Sequence, residues 1–194
     1  MTDSPSVSNV LAVYNGASAH NMREGLSWYL DAHNYARILS STYDISVQQA
    51  AGIVASLSPM NGWENNKRKA MQLIAQGHGE GCGLYRNVAK AEAILAGGWD
   101  IDPLDILGGD KVRAFYATIL DPTGDIDPVI DRHAFDIAVG ERTDEKRRGI
   151  LGRKGVYHEF ANVYREAAII AGIGAAQMQA ITWVAWREAL GIVA

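Results

Sequence analysis

The sequence predicts an all-α protein, and three observations carry that expectation. Apolar residues recur at helical spacing almost everywhere, while no convincing period-2 strand occurs. Capping residues, glycines and prolines cut this pattern into segments of ordinary helix length. Pro is scarce, 5 in 194 residues, and no stretch is repeated or of low complexity.

Met22, Leu26, Tyr29, Ala36 and Leu39 form one apolar stripe, which predicts a long first helix over about 20–40. Ser46 with Gln49 is a capping box, and Val47, Ala50, Ile53, Val54 and Leu57 follow on one face. Ser58-Pro59 ends that helix, because proline pushes its predecessor out of helical geometry. Trp63 to Gln76 reads as a third helix closed by Gly77 and Gly79, and Leu84 to Ala96 as a fourth closed by Gly97-Gly98. Asp102-Pro103 opens a short helix with proline at its first position. Gly108-Gly109 breaks it, and Lys111 to Leu120 is helical again. The segment 121–128 is a dense turn cluster. Helices over about 130–139, 156–171 and 175–190 complete the pattern, and the charged, glycine-punctuated stretch 140–154 reads as the one mobile linker.

A chain of 194 residues fits one domain, or two small helical lobes. Hydrophobic residues make up 48%, enough for a real core. No run of 18 apolar residues occurs, so no transmembrane helix is expected. The polar start does not read as a signal peptide. The single cysteine, Cys82, excludes an internal disulfide, a four-cysteine iron–sulfur cluster and a cysteine-based zinc site within the chain. Its expected home is reducing and cytoplasmic. His33, His78, His133 and His158 form no metal-ligand spacing with carboxylates, so neither a metal nor another cofactor is expected. Nucleotide-binding glycine loops and the serine-hydrolase elbow are also missing. A net charge of −4 argues against indiscriminate nucleic-acid binding, which works by neutralising phosphates. Two local basic stretches remain, Lys67-Arg68-Lys69 and Lys146 to Lys154. Each reads equally as a solvated surface.

Chemistry concentrates at two helix starts. Gly108 and Gly109 put free backbone N–H groups and the positive end of a helix dipole at one point, an arrangement that suits a phosphate or simply makes a tight turn. Lys111 follows in the first turn. A lysine sheltered there is a usable nucleophile; an exposed one is a surface cation. Asp131 begins the later helix, where an aspartate is also an ordinary N-cap. The two residues lie 20 positions apart with one helix and one turn between them, so both side chains are expected to face one pocket.

The segments Gly109-Asp110-Lys111-Val112-Arg113-Ala114 and Val129-Ile130-Asp131-Arg132-His133 resemble the hairpin and catalytic segment of helix-hairpin-helix DNA glycosylases. Leu84-Tyr85-Arg86-Asn87-Val88-Ala89-Lys90-Ala91 is similar to an upstream helix of that family, and the helix from Gln48 to Ser58 to an earlier one. The likeness covers about residues 48–140. It implies a two-lobed helical fold, with one lobe over about 46–120 and the other built from about 18–45 plus 121–194. It also implies DNA as partner, with a modified base flipped out of the stack. Asp131 would stabilise positive charge on the sugar, and Lys111 would attack C1′ to form a Schiff base. The C-terminal run from Gln177 to Arg187, and Ser58-Pro59 followed by Trp63-Glu64-Asn65-Asn66, resemble small phage-encoded relatives. Some of these, the alpha-glutamyl/putrescinyl thymine pyrophosphorylases, act on hypermodified thymine. A phage setting would place the protein in the host cytoplasm.

Base-binding candidates are Gly108, Gly109, Trp63, Asn65, Asn66, Tyr85, His133, Gln179, Trp183 and Arg187. Gln179, Trp183 and Arg187 succeed one another at i,i+4 and together read as a stacking and edge-reading surface, or as a core tryptophan beside a surface arginine. Tyr85 is expected to pack, and His133 to orient its helix start. The hairpin lacks the family's usual Leu-Pro-Gly-Val-Gly, and Asp110 adds a negative charge; both point away from ordinary duplex repair. Three functions follow: an N-glycosylase on a 5-substituted pyrimidine, a transferase hypermodifying thymine without excision, and a non-catalytic DNA-binding or anti-defence module.

Overall fold

The computed structural model describes residues 4–192, and all regular structure among them is helical. The helices are α1 (Val7–Asn15), α2 (Ala19–Tyr43), α3 (Val47–Leu57), α4 (Trp63–Gln76), α5 (Tyr85–Ala96), α6 (Asp110–Leu120), α7 (Arg132–Val139), α8 (Glu145–Arg148), α9 (Val156–Ala171) and α10 (Ala175–Ala189). Two 3-10 turns join them, Pro103–Asp105 and Gly149–Gly152. No helix is long and apolar enough by itself to cross a membrane. The described residues divide into two compact units, one of 4–29 with 123–192 and one of Leu30–Pro122, the division falling inside α2.

The first unit packs α1, α7, α9 and α10 around Val10, Ile130, Phe135, Phe160, Tyr164 and Met178, all essentially inaccessible. Phe135 and Phe160 stack with ring centroids 4.6 Å apart. The buried Tyr164 hydroxyl donates to Ala134 O at 3.0 Å, and burial pushes its phenol well above the usual range. Helix α1 has no counterpart in the sequence expectation, although Val7, Val10, Leu11 and Tyr14 have helical spacing. Ser6 N and Asn9 Nδ2 both donate to Ala138 O, at 2.9 and 3.0 Å, so α1 also satisfies a carbonyl at the end of α7.

In α2 the expected stripe needs correction. Tyr29, Ala36 and Leu39 are buried, but Leu26 is 48% exposed. The buried face runs instead through Asn21 and Gly25. A Cβ on Gly25 would lie 2.4 Å from Ile181 Cα, so the backbones of α2 and α10 meet where no side chain fits. Tyr29 donates its hydroxyl to Gln179 Oε1 and Asn21 its amide to Glu188 Oε2, binding the same two helices.

The stretch 140–154 is also more ordered than a linker. Asp136, 1% exposed, accepts from Arg148 at 2.6 and 3.0 Å and from the Thr143 hydroxyl at 2.5 Å. These contacts fix α8 and the following 3-10 turn beside α7. Charge patterning suggested a solvated loop because the buried partner is one carboxylate 12 residues earlier.

In the second unit α3 is the central helix, buried on all sides from Gln49 to Leu57. The capping box forms as expected: Ser46 Oγ accepts from Gln49 N at 3.1 Å, and Gln49 Oε1 from Ser46 N at 3.0 Å. The same glutamine donates Nε2 to Ile94 O and Leu95 O, satisfying carbonyls near the end of α5. Gly77 closes α4 in the left-handed conformation, and Asp102 caps the proline-led 3-10 turn through Leu104 N at 2.9 Å.

Candidate active site

Asp131 stands at the N-cap of α7, half-buried. One carboxylate oxygen accepts from His133 N and Ala134 N, each at 2.9 Å, which is what a sequence-local N-cap does. The other accepts from the indole Nε1–H of Trp183 at 3.0 Å, a bond that joins α7 to α10. Both oxygens are thereby oriented by donors that carry no net charge, and the helix dipole adds positive potential at the same point.

Trp183 has an aromatic and a cationic neighbour. Trp28 of α2 lies with its ring centroid 4.8 Å away at 46°, and the Arg187 guanidinium sits 4.1 Å from the ring centroid. A cation at that distance over an indole face is attracted by the ring quadrupole. Burial draws the Arg187 guanidinium below its ordinary value, while the Asp131 charge opposes that. The His133 ring meets Trp183 edge-on at 6.3 Å, buried. Burial lowers its imidazole's affinity for protons; the Asp131 charge works the other way, and Arg132 and Arg187 reinforce the lowering. Its Nε2 faces Arg132 Nε at 3.2 Å, and its Nδ1 is buried without a hydrogen-bond partner. The first unit therefore gathers a carboxylate, two guanidinium groups, an imidazole and two indoles.

Of the residues expected here from sequence, Asp131, His133, Trp183 and Arg187 assemble together. Gln179 lies one turn from Trp183, but it is 4% exposed and engaged with Tyr29. It holds α10 to α2 rather than presenting an amide to a ligand. Trp28 and Arg132 belong to the cluster without having been singled out. A signal for Trp28 existed in Gly25, since a glycine inside a long helix marks close helix packing one turn away.

The remaining candidates lie in the second unit. Gly109 precedes α6 with φ +83°, a conformation that favours glycine, and no side chain caps the helix. Gly108 and Gly109 are exposed and Lys111 is half-buried in the first turn. Lys90 Nζ lies 3.0 Å from where a Cβ on Gly108 would stand, so an ammonium group lies beside that exposed glycine. Trp63 packs edge-on against Tyr35 and Phe115, at 6.1 and 6.4 Å, with Lys67 Nζ 5.6 Å from its ring centroid. Asn65 bridges Asn61 and Arg68. Asn66 is 1% exposed and donates to Val54 O at 3.0 Å, a tie between α4 and α3 and no surface for a nucleic acid. Tyr85, expected to pack, is 86% exposed at the first position of α5. Helix α5 buries Val88, Ala91 and Ile94 instead, and Tyr85 precedes that face. Among the described residues no group of three or more His, Cys, Asp or Glu side chains converges as metal ligands would.

The chain belongs to a family described as a family of unknown function (DUF7178), whose model matches residues 1–190. No curated protein and no solved structure matches it.

Proposed function

We propose that this member of the DUF7178 family is a DNA N-glycosylase acting on a 5-substituted pyrimidine, with Asp131 as its catalytic carboxylate. The observation that carries the reading is the grip on Asp131, whose two oxygens are held by N–H donors at a helix start. Breaking an N-glycosidic bond sends the bonding electron pair to the departing base and leaves positive charge spread over C1′ and the ring oxygen. A fixed carboxylate beside that carbon stabilises the charge as it develops, with no reorganisation at the moment of reaction. Water then adds to C1′ and the released base takes up a proton. Arg132 and Arg187 supply the cations that phosphate contacts need, in a chain whose net charge is −4. Such localised positive charge fits a narrow substrate class better than general duplex binding.

The test is nucleoside mass spectrometry of DNA carrying a panel of 5-substituted pyrimidines, incubated with wild-type protein or Asp131→Asn. Free base released by the wild type and lost in the variant is the expected result. A nucleoside of new mass without abasic sites, when amino acids or polyamines are supplied, replaces excision by transfer. No product across the panel leaves a binding module. Lys111 is the amine that the resemblance assigns to a Schiff-base step. Borohydride trapping of a covalent complex by wild type and not by Lys111→Gln is the matching test for that step.

A further inference from the structure

The sequence admits Trp183 either as a stacking platform for a flipped base or as a core tryptophan. Its surroundings in the first unit assign it differently. One side of the indole is approached by Trp28 with ring centroids 4.8 Å apart, and the Arg187 guanidinium lies 4.1 Å from the ring centroid. The polar edge of the ring is committed to Asp131 Oδ2 at 3.0 Å. The helix that carries it is held against α2 by the glycine contact at Gly25 and by the Tyr29–Gln179 hydrogen bond, one turn earlier on α10. The half-buried ring thus has an aromatic and a cationic neighbour, and its one polar atom is already used within the protein.

We propose that Trp183 is a positioning residue that acts through Asp131: its indole N–H fixes the second carboxylate oxygen, so that the carboxylate cannot rotate away from the reacting carbon. The α7 N-terminus holds only the first oxygen. With one oxygen pinned, the group still pivots about its Cβ–Cγ bond; with both pinned, one orientation is left. An indole donor does this without neutralising the charge, which an arginine in its place would. Trp28 and Arg187 pack against the indole, and the inference rests on Asp131 being the catalytic carboxylate proposed above.

The experiment compares Trp183→Phe with Trp183→His at about pH 8, where a histidine is neutral. In the five-membered ring of histidine Nε2 occupies the position of the indole Nε1, so the donor is kept while most of the aromatic area is lost. Phenylalanine keeps a six-membered ring and loses the donor. Positioning predicts that Trp183→Phe lowers kcat about 10- to 100-fold with KM changed less than about 2-fold, as for loss of a hydrogen bond to a charged group. Trp183→His recovers most of that kcat. A platform role predicts the reverse ranking, with KM raised in Trp183→His more than in Trp183→Phe, and that outcome overturns the proposal.

A second readout needs no turnover. The chain has five tryptophans, so the indole N–H signals in a proton–nitrogen correlation spectrum are few and Trp183 is assigned by its loss in Trp183→Phe. In Asp131→Ser a hydroxyl can still cap α7, but no second oxygen reaches the indole. The Trp183 signal is expected to move upfield and exchange faster in that variant. If it does so while the wild-type protein releases no base from any DNA, the positioning bond stands and the glycosylase reading falls. An unmoved signal overturns the positioning inference whatever the activity.

Discussion

Helix α7 carries two aspartates five residues apart, and the protein treats them in opposite ways. Asp136 is sealed from solvent and faces a guanidinium, with Arg148 at 2.6 Å and Thr143 closing the remaining side. Its charge is cancelled where it stands, and what results is a clamp on the segment that follows. Asp131 is half open and gripped by two main-chain N–H groups and an indole N–H. Its geometry is fixed by donors that carry no net charge. The difference separates a carboxylate neutralised inside an ion pair from one held by uncharged donors, the one to which we assign the proposed chemistry, on residues that sequence alone presents as the same side chain at the same helix.

The sharpest way to break the comparison is at Asp136. Asp136→Ala strands Arg148 beside a hole and is expected to cost about 3–5 kcal/mol, read as a lower denaturant midpoint. If the loss is under about 1 kcal/mol, the clamp is not what orders residues 141–152. A smaller effect is expected at Asp131, where Asp131→Ala removes the cap of α7 and costs about 1 kcal/mol, whereas Asp131→Asn keeps a capping oxygen, gives up the bond from Trp183 because its amide nitrogen is itself a donor, and costs less. Equal destabilisation by the two variants would place Asp131 with the architectural carboxylates.

The smallest effect tests His133, which sits between them. Burial depresses its folded-state affinity for protons below that of the unfolded chain, which titrates near 6.5. The unfolded state therefore binds more protons as pH falls through that value, and the stabilisation present above pH about 6.5 is lost on going lower. Thermal melts from pH 8 downward should show this decline in the wild type, and His133→Gln should flatten that part of the profile. A wild-type midpoint that rises on acidification through this range contradicts the assignment.

How far the sequence revealed these features depended on how local their causes are. Helix α3 and its capping box, the stop at Gly77 and the cap at Asp131 follow from residues within four positions of one another, and all were legible. Helix α1 escaped notice because it is short and follows a polar start. The order of 141–152 was hidden because its cause is one buried carboxylate. The Trp183–Asp131 bond spans 52 residues, and nothing in either neighbourhood specifies it. Polar residues misled in a consistent direction: Asn66 and Gln179 looked like ligand-facing amides and are buried struts, because an amide that bonds across to another helix inside a core has no sequence signature.

The glycine at the closest approach of α2 and α10 has a bearing on ancestry as well as on packing. A methyl group at Gly25 would stand 2.4 Å from the Cα of Ile181, so no rotamer of any other residue relieves the overlap. Drift at that position is closed unless the two helices separate, and separation would dismantle the neighbourhood of Trp28 and Trp183. Descendants that keep the Asp131 grip should therefore keep this glycine, and lineages that have replaced it should have released the tryptophans too. Position 25 sorts relatives that retain this arrangement of Asp131 and the two tryptophans from those that retain only the scaffold.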